Sequence, residues 1–204
     1  MKPDKLIVLG FGGHARSIAD VAIAAGVPAL AFVDAGAAPG EEFAGFNAVV
    51  QCPSIEPGWA VLPAAGDNRI REGQIAAYGG RAPLYTLVSP HAYVGVGGTL
   101  GRAVFVAHHA HLGPCAQLGD GCIVNTGAIV DHEAWIGRCA HVSINATVAG
   151  RCRIGERVFL GAGSVVIDGV SIAADVVVGA GAVVIADLEE AGTYVGVPAR
   201  RLRR

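Results

Sequence analysis

In the second half of the chain an aliphatic residue recurs at every sixth position. The series begins at Val88 and ends at Val184, without an insertion or a slip. Four residues after each aliphatic position stands a small or compact residue, such as Ala92 or Ala110. A helix repeats about every 3.6 residues and a strand about every two, so neither gives this period. A hexapeptide array does, and it predicts a parallel β-helix whose aliphatic residues point into the core.

The pattern before the array is different, because short apolar runs alternate with segments of helical spacing. The predicted elements are a strand at Lys5–Gly10, a glycine turn at Gly10–Gly13, a helix at His14–Ala25, a strand at Ala29–Val33, a strand at Ala60–Ala65 and a helix at Arg69–Tyr78. Gly36–Pro57 has the composition of a loop. Alternating strands and helices imply a small parallel sheet. We therefore expect a Rossmann-like α/β domain over residues 1–86 and a β-helix domain with a C-terminal tail over residues 87–204.

Composition restricts the class of protein. The chain has 204 residues, of which 52% are hydrophobic and 16% charged, and the 30 glycines suit a turn-rich solenoid rather than disorder. The net charge of −2 does not indicate the positively charged surface that binding to nucleic acid requires. The apolar run that ends at Gly10 is too short to span a membrane, so no membrane insertion is expected. The five cysteines are odd in number and form no CxxC pair, which indicates a reduced, cytoplasmic protein.

A dinucleotide-type fingerprint lies at the start of the α/β domain. Gly10, Gly12 and Ala15 fit G-x-G-x-x-A between a strand and a helix, and Asp34 follows at the end of the next strand. Such glycines let the backbone approach a phosphate, and the helix N-terminus attracts it. The alternative is a purely structural turn. Because the domain is too short for both halves of a dinucleotide fold, we prefer a nucleotide diphosphate over NAD as the ligand.

The triplet Asp131-His132-Glu133 is the strongest candidate for chemistry in the array. His132 stands two residues after a core position and should point outward, and a flanking carboxylate can fix the tautomer of a general base. The alternative is a solvated surface histidine. Three hexads close one turn, so residues 18 apart stack and Gly150 lies one coil beyond His132. Its N–H could hydrogen-bond a developing oxyanion, whereas the alternative is a glycine that only relieves a corner.

The spacing of the other histidines bears on a second hypothesis, a zinc enzyme of the carbonic anhydrase type. Such an enzyme needs two histidines five residues apart. No pair among the histidines has that spacing, and the cluster His108, His109 and His111 does not supply it. We therefore expect no metal site. No cysteine or serine stands beside His132 as an obvious nucleophile, so a covalent acyl-enzyme is disfavoured.

Four separated motifs together resemble one family. They are Gly10-Phe-Gly-Gly-His-Ala-Arg16, Gly66-Asp-Asn-Arg69, Asp131-His-Glu133 and Gly196-Val-Pro-Ala-Arg200, the last of which closes the array. They resemble the NeuD/PglD-like bacterial nucleotide-sugar N-acetyltransferases. The resemblance implies a left-handed β-helix, a homotrimer, and acetyl-CoA lying in the groove between neighbouring helices. It also implies that His132 is the base and Glu133 its supporting acid.

The resemblance extends to ligand-binding positions. The residues expected at the coenzyme are His141, Gly150, Ala162, Gly179, Ala180 and Pro198. Those expected at the nucleotide sugar are Gly12, Gly13, His14, Ala15, Asp34, Asn68 and Asn125. His141 is predicted to meet His132 of a neighbour or the CoA thioester, and the alternative is a solvated side chain. His14 and Asn68 have structural alternatives as well, a helix surface and a turn. The tail arginines Arg200, Arg201, Arg203 and Arg204 are either a solvated end or contacts for CoA phosphates.

These observations predict an acetyltransferase that moves acetyl from acetyl-CoA to an amine on a nucleotide-linked sugar. A UDP-linked 4-amino sugar is the expected acceptor, and the amine attacks the thioester directly. One alternative is O-acetylation of a sugar such as sialic acid, which the same base and groove would serve. The other is a non-catalytic β-helix assembly module that binds a nucleotide as a regulator.

Overall fold

In the computed structural model, which describes residues 2–202, an α/β domain precedes a parallel β-helix. The α/β domain contains β1 (Lys5–Leu9), α1 (Gly13–Ala24), β2 (Leu30–Val33), β3 (Glu42–Phe43), β4 (Phe46–Val49), β5 (Trp59–Pro63) and α2 (Asn68–Tyr78). The strands lie in the order β3-β4-β2-β1-β5. Strands β4, β2, β1 and β5 are parallel, and β3 is antiparallel to β4. The predicted fold class, a small parallel sheet followed by a hexapeptide β-helix, is confirmed.

The segment predicted as a loop, Gly36–Pro57, contains a hairpin made of β3 and β4. Its turn is Ala44-Gly45, and both residues have positive φ, 54° and 78°. Two-residue hairpin turns need this conformation, and Asn-Gly or Asp-Gly is the usual signal for it. Alanine at the first turn position hides that signal, which is why the hairpin was not predicted.

The β-helix has three faces, each a parallel ladder of short strands. Face 1 consists of β6 (Leu87–Val88), β9 (Phe105–Val106), β12 (Ile123–Val124), β15 (His141–Val142), β18 (Phe159–Leu160), β21 (Val176–Val178), β23 (Gly192–Val195) and the antiparallel β24 (Arg200–Arg201). Face 2 consists of β7 (Tyr93–Val94), β10 (His111–Leu112), β13 (Ile129–Val130), β16 (Thr147–Val148), β19 (Val165–Val166) and β22 (Val183–Val184). Face 3 consists of β8 (Thr99–Leu100), β11 (Gln117–Leu118), β14 (Trp135–Ile136), β17 (Arg153–Ile154) and β20 (Ser171–Ile172).

The expected stacking of residues 18 apart holds along the array. Ile129 pairs with Thr147 and Val130 with Val148, and the same offset recurs from coil to coil. The aliphatic residues and the small residues point inward together, so that Val130 and Ala134 are both fully buried. The register changes only near the end, where β21 pairs with β23 at an offset of 16.

The corners between the faces share one backbone conformation. From 97 to 181, the third residue after each core aliphatic has a positive φ, between 53° and 74°. Glycine adopts this left-handed region at little cost, whereas other residues lose about 1–2 kcal/mol there. Many corners nevertheless hold residues other than glycine: Ala103, His109, Cys115, Glu133, Cys139, Asn145, Arg151, Arg157 and Asp175. The repeated ladder therefore imposes the corner conformation on whatever side chain stands there.

The α/β domain is docked on face 1. The outward residues Phe105 and Ile123 are each only 1% exposed because α1 and α2 cover them, and they share an apolar cluster with Ile18 and Ile75. The two domains therefore have a common core at their junction. Within residues 2–202, no helix is long and apolar enough to cross a bilayer.

Candidate functional site

His132 lies at the corner between faces 2 and 3, directly after β13. Its backbone N–H donates to Oδ1 of Asp131 at 2.6 Å, which holds the corner in shape. Glu133 occupies the left-handed position with φ 58°, and its Oε1 is 3.9 Å from Nδ1 of His132. That separation is too long for a hydrogen bond but short enough for the carboxylate to stabilise an imidazolium. The His132 side chain is 39% exposed and thus open to a substrate.

Gly150 stacks on His132 as the 18-residue register predicts. A β-carbon at Gly150 would collide with Cε1 and Nε2 of the His132 ring, and it would lie 3.0 Å from Oδ2 of Asp168. Asp168 belongs to the next coil of the same corner and pairs with Arg151 at 2.5 Å. The missing side chain leaves a notch, bounded by the imidazole, the Gly150 backbone and the Asp168 carboxylate. Within residues 2–202, the Gly150 N–H has no hydrogen-bond acceptor.

The turn itself does not require glycine at this place. Gly150 stands two residues after its core aliphatic, and the same position at other corners holds Asp120, Arg138, Ile144 and Glu156. Gly150 is also not among the residues with positive φ. The absence of a side chain therefore opens space beside His132 and is not a requirement of the corner.

The glycine loop of the α/β domain forms a second candidate site. Gly12 is the N-cap of α1, and Gly13 is its first residue. The carboxylate of Asp34 accepts from the backbone N–H of Phe11 at 2.9 Å and of Gly36 at 2.8 Å. A small cavity of about 220 Å³ opens here, lined by Phe11, Gly12, Arg16, Asp34, Gly36, Ala37 and Glu41. Ala15 is 1% exposed and packs beneath the loop, outside the lining of this cavity, and its expected ligand role stays a prediction.

His141 lies in the junction between the two domains of its own chain. It is 6% exposed, which excludes the solvated alternative. Its Nδ1 is 3.4 Å from the carbonyl oxygen of Gly66, and its Nε2 is 3.3 Å from Nδ2 of Asn125. The ring of His14, from α1, lies 5.9 Å away between centroids. The sequence could not decide between a ligand contact and a solvated side chain for His141, because it does not show that the α/β domain docks on face 1.

The His14–His141 pair is electrically neutral at pH 7. Burial, followed by the charge of Arg71, lowers the pKa of His14 to about 4 and that of His141 to about 3. Within the described chain, the buried Nε2 of His14 has no hydrogen-bond partner. The pair is therefore a neutral, largely buried unit at the junction, in which one ring nitrogen is left without a hydrogen bond.

Asn68 links the two domains through its side-chain amide, and its expected ligand role stays a prediction. It is 8% exposed, and its Nδ2 donates to the carbonyl oxygens of Arg157 and Val158 in the β-helix at 2.8 and 3.2 Å. Its Oδ1 accepts from Arg71 at 2.7 Å. No side-chain donor of Asn68 is left over for a substrate.

An open cleft of about 510 Å³ runs from the start of α2 across face 1. Its lining includes Gly66, Asp67, Asn68, Arg69, Arg157, Phe159, Asp175 and Val177. The ring of Phe159 also packs edge-on against His141, with centroids 5.1 Å apart. The cleft therefore adjoins His141 of the His14–His141 pair through Phe159.

Apart from His141, which lies on β15 in the domain junction, the residues expected at the coenzyme fall on two different corners of one chain. Gly150 belongs to the His132 corner. Ala162, Gly179 and Ala180 lie at the corner between faces 1 and 2, where the N–H of Gly181 donates to the Ala162 carbonyl at 2.9 Å. Pro198 is exposed in the turn after β23, near the same corner. Face 2 separates the two groups, so a single chain does not bring them into one groove.

The remaining expectations concern metals and the tail. Among residues 2–202, no three histidine, cysteine or acidic side chains are placed to hold a metal ion. Arg200 and Arg201 form the exposed strand β24. Arg203 and Arg204 lie outside the described residues.

Two protein-family models match parts of this chain. Residues 5–77 match the family model of the PglD N-terminal domain, and residues 151–186 match that of the bacterial transferase hexapeptide. No curated protein matches the chain by sequence.

Several solved structures match over nearly the whole chain. The acetyltransferase domain of PglB from Neisseria gonorrhoeae FA1090 is 30% identical, with a TM-score of 0.92, and the match covers 98% of this chain and 100% of that one. The same domain in complex with acetyl coenzyme A is 32% identical over the same shares, with a TM-score of 0.93. PerB from Caulobacter crescentus, in complex with CoA and GDP-perosamine, is 35% identical, with a TM-score of 0.89 and coverage of 98% and 97%.

Proposed function

Since this chain belongs to the NeuD/PglD-like family of nucleotide-sugar N-acetyltransferases and is an acetyl-CoA-dependent acyltransferase, we propose that it acetylates an amine on a nucleotide-linked sugar. The observation that carries this proposal is the notch between His132 and Gly150. It places a half-exposed imidazole and a backbone N–H without an acceptor on two sides of one small space. An attacking amine and a thioester carbonyl need those two partners.

In the proposed reaction the amine nitrogen attacks the thioester carbon directly. His132 takes the proton that the amine loses, and Glu133 stabilises the resulting imidazolium. The negative oxygen of the tetrahedral intermediate accepts a hydrogen bond from the Gly150 N–H. The carbon–sulfur bond then breaks, the proton passes from His132 to the CoA sulfur, and an amide remains on the sugar.

The nucleotide part of the acceptor is assigned to the α/β domain. The N-terminus of α1 at Gly12 and Gly13 supplies backbone N–H groups for a diphosphate, and Asp34 stands at the mouth of the neighbouring cavity for the nucleoside. His14 and Asn125 then face the sugar beside His141. The expectation of a UDP-linked 4-amino sugar stays a prediction, because the related PerB binds GDP-perosamine.

The coenzyme groove is proposed to lie between two chains of a homotrimer. The outward side of face 2 is largely apolar, with Tyr93 57% and Ile129 38% exposed, and Ile144 and Ile167 extend it at both corners. Packing on a second chain would cover this surface. It would also bring the Ala162 corner of one chain towards the His132 corner of the next, which reunites the expected coenzyme residues of these two corners.

The test is release of free thiol from acetyl-CoA with a panel of UDP-, GDP- and dTDP-linked amino sugars and with sialic acid. We expect turnover with an amino sugar, and a loss of about 10²–10⁴-fold in kcat/KM for His132→Ala. His91→Gln, an exposed histidine outside the site, is the matched control. Turnover of sialic acid alone would favour O-acetylation, and no turnover with any acceptor would favour the assembly module. Light scattering that showed an active monomer would refute the shared groove.

A further inference from the structure

A buried arginine stands at the junction of the two domains. Arg71, on α2, is 1% exposed. Its guanidinium carries a full positive charge and five N–H donors in a rigid, planar fork. Burying such a charge is costly unless it is paired or fully hydrogen-bonded. Within residues 2–202, no carboxylate is among the hydrogen-bond partners of Arg71. Carbonyl and amide oxygens stabilise its charge instead.

These oxygens come from both domains. Nε donates to the carbonyl of Gly121 at 2.7 Å and Nη2 to that of Cys139 at 2.7 Å, both on the corner between faces 3 and 1. Nη1 donates to the carbonyls of Ala65 at 2.9 Å and Gly66 at 3.3 Å, in the loop after β5. Arg71 thus ties two coils of the β-helix to the loop that approaches His141.

The helix that carries Arg71 rests directly on this corner. A β-carbon at Gly121, where φ is +70°, would collide with Cδ1 of Ile75. On the same side of α2, Nδ2 of Asn68 bonds the Arg157 carbonyl of the next coil at 2.8 Å. There is consequently little room for α2 to slide or lift without breaking the bonds of Arg71.

The anchored loop and helix flank the histidine pair. The carbonyl of Gly66, which Arg71 holds, is also the neighbour of His141 Nδ1 at 3.4 Å. His14 comes from the α/β domain and His141 from the β-helix, so only the junction fixes the separation of their rings. The titratable groups that influence the pair are Arg71 and the two histidines themselves.

We propose that Arg71 is a positioning residue for acetyl transfer: it locks α2 and the Gly66 loop onto the β-helix and so holds His14 and His141 in a fixed pair. This inference rests on the proposed function, because that function makes the pair part of the acceptor site. Arg71 itself does not touch the reacting atoms.

The test compares Arg71→Met, which removes both the charge and the planar set of N–H donors, with Arg71→Lys, which keeps the charge but not that set of donors. The control is Glu72→Gln on the same helix, which breaks interdomain ion pairs with Arg157 and Arg138 nearer the surface. We expect kcat to fall about tenfold to a hundredfold in both Arg71 variants, the usual effect of a misplaced site. The KM for acetyl-CoA should stay within about twofold, since the thioester groove is elsewhere.

An NMR titration of His141 gives a readout that simple loss of stability would not move. Its pKa, which burial lowers first and the charge of Arg71 second, should rise in both Arg71 variants, because a loosened junction lets water reach the ring, and should stay low in Glu72→Gln. Wild-type kcat in Arg71→Lys, or a kcat for folded Arg71→Met within twofold of Glu72→Gln, would overturn the proposal. If Arg71→Met does not fold, the comparison of Arg71→Lys with Glu72→Gln decides instead, and equal kcat values in those two variants would overturn the proposal.

The titration separates this proposal from the proposed function. If the wild type acetylates no amino sugar, the proposed function fails. Independently of that result, an unchanged His141 titration in Arg71→Met would show that Arg71 does not hold the histidine pair in place.

Discussion

At the scale of single residues, the space over Gly150 gives a sharp test of the His132 notch. Gly150→Ala should lower kcat/KM about tenfold to a hundredfold, because the added methyl group collides with the imidazole. Stability should change little, since other corners carry side chains at this position. Steady-state kinetics and thermal unfolding of the same preparation measure both effects.

A double variant shows whether the methyl group acts through His132. If it does, Gly150→Ala should add almost nothing to the loss caused by His132→Ala, since the two residues work as one unit. Losses that multiply would mean that Gly150 acts on the coenzyme independently of the base.

The neutral histidine pair predicts a dependence of stability on pH. Both folded pKa values, about 4 for His14 and about 3 for His141, lie below the ordinary 6.5. The unfolded chain therefore binds more protons between these values, and stability present above pH 6.5 is lost as the pH falls towards 3. The shift of His14 corresponds to on the order of 3 kcal/mol.

Thermal unfolding between pH 8 and pH 4 measures this effect. Tm should fall with acidity in the wild type and fall less steeply in His14→Gln. Parallel curves for the two proteins would show that other groups cause the acid sensitivity.

The residues also show how far sequence reasoning reaches. The His132–Gly150 stack was predictable, because a strict six-residue period converts sequence distance directly into position. Arg71 was not recognised, because an arginine on a short amphipathic helix is usually solvated. A signal was present: Asn68, Arg71 and Ile75 have the i, i+3, i+7 spacing of one buried helix face.

At the scale of elements, the left-handed backbone conformation at the corners of the β-helix costs free energy of folding. A substitution at one corner can measure that cost. Cys115 is exposed and has φ 57°. Cys115→Gly relieves about 1–2 kcal/mol of left-handed strain but loses about 0.4–1 kcal/mol through a more flexible unfolded chain. The net result should be a gain of between zero and about 1.6 kcal/mol.

Cys115→Ala is the matched control, since it also removes the thiol but keeps the strain. Thermal unfolding should rank the glycine variant above the alanine variant. The reverse order would mean that the ladder relaxes the corner and no strain is stored there. The sequence did not reveal such corners, because glycine, the usual marker of this conformation, is absent from many of them.

At the scale of the whole molecule, the two domains are less separable than their sequence patterns suggest. The aliphatic period predicts an array that buries its own core, and this holds for its interior. The outward residues Phe105 and Ile123, however, are buried only by the α/β domain. No periodic signal identifies which outward positions a second domain covers, so this junction could not be predicted.

Deletion of residues 1–86 should therefore leave coils that fold and bind acetyl-CoA but form larger assemblies than the full-length chain does. The exposed apolar surface on face 1 is the physical cause. Adding Phe105→Gln and Ile123→Thr to the truncated chain should restore a single species. Size-exclusion chromatography with light scattering distinguishes the two, and a monodisperse truncated chain without these changes would contradict the expectation.

The unbroken register of the β-helix has a geometric consequence for any change in its length. One hexad turns the chain by a third of a revolution, and three hexads return it to the same side. Six residues inserted between Glu133 and Ala149 would keep every aliphatic residue in the core, yet they would carry Gly150 round to another edge of the prism. Eighteen would restore its direction but leave one layer between it and His132. A protein of this design can lengthen without unfolding, but it keeps its chemistry only where no layer enters between these two residues.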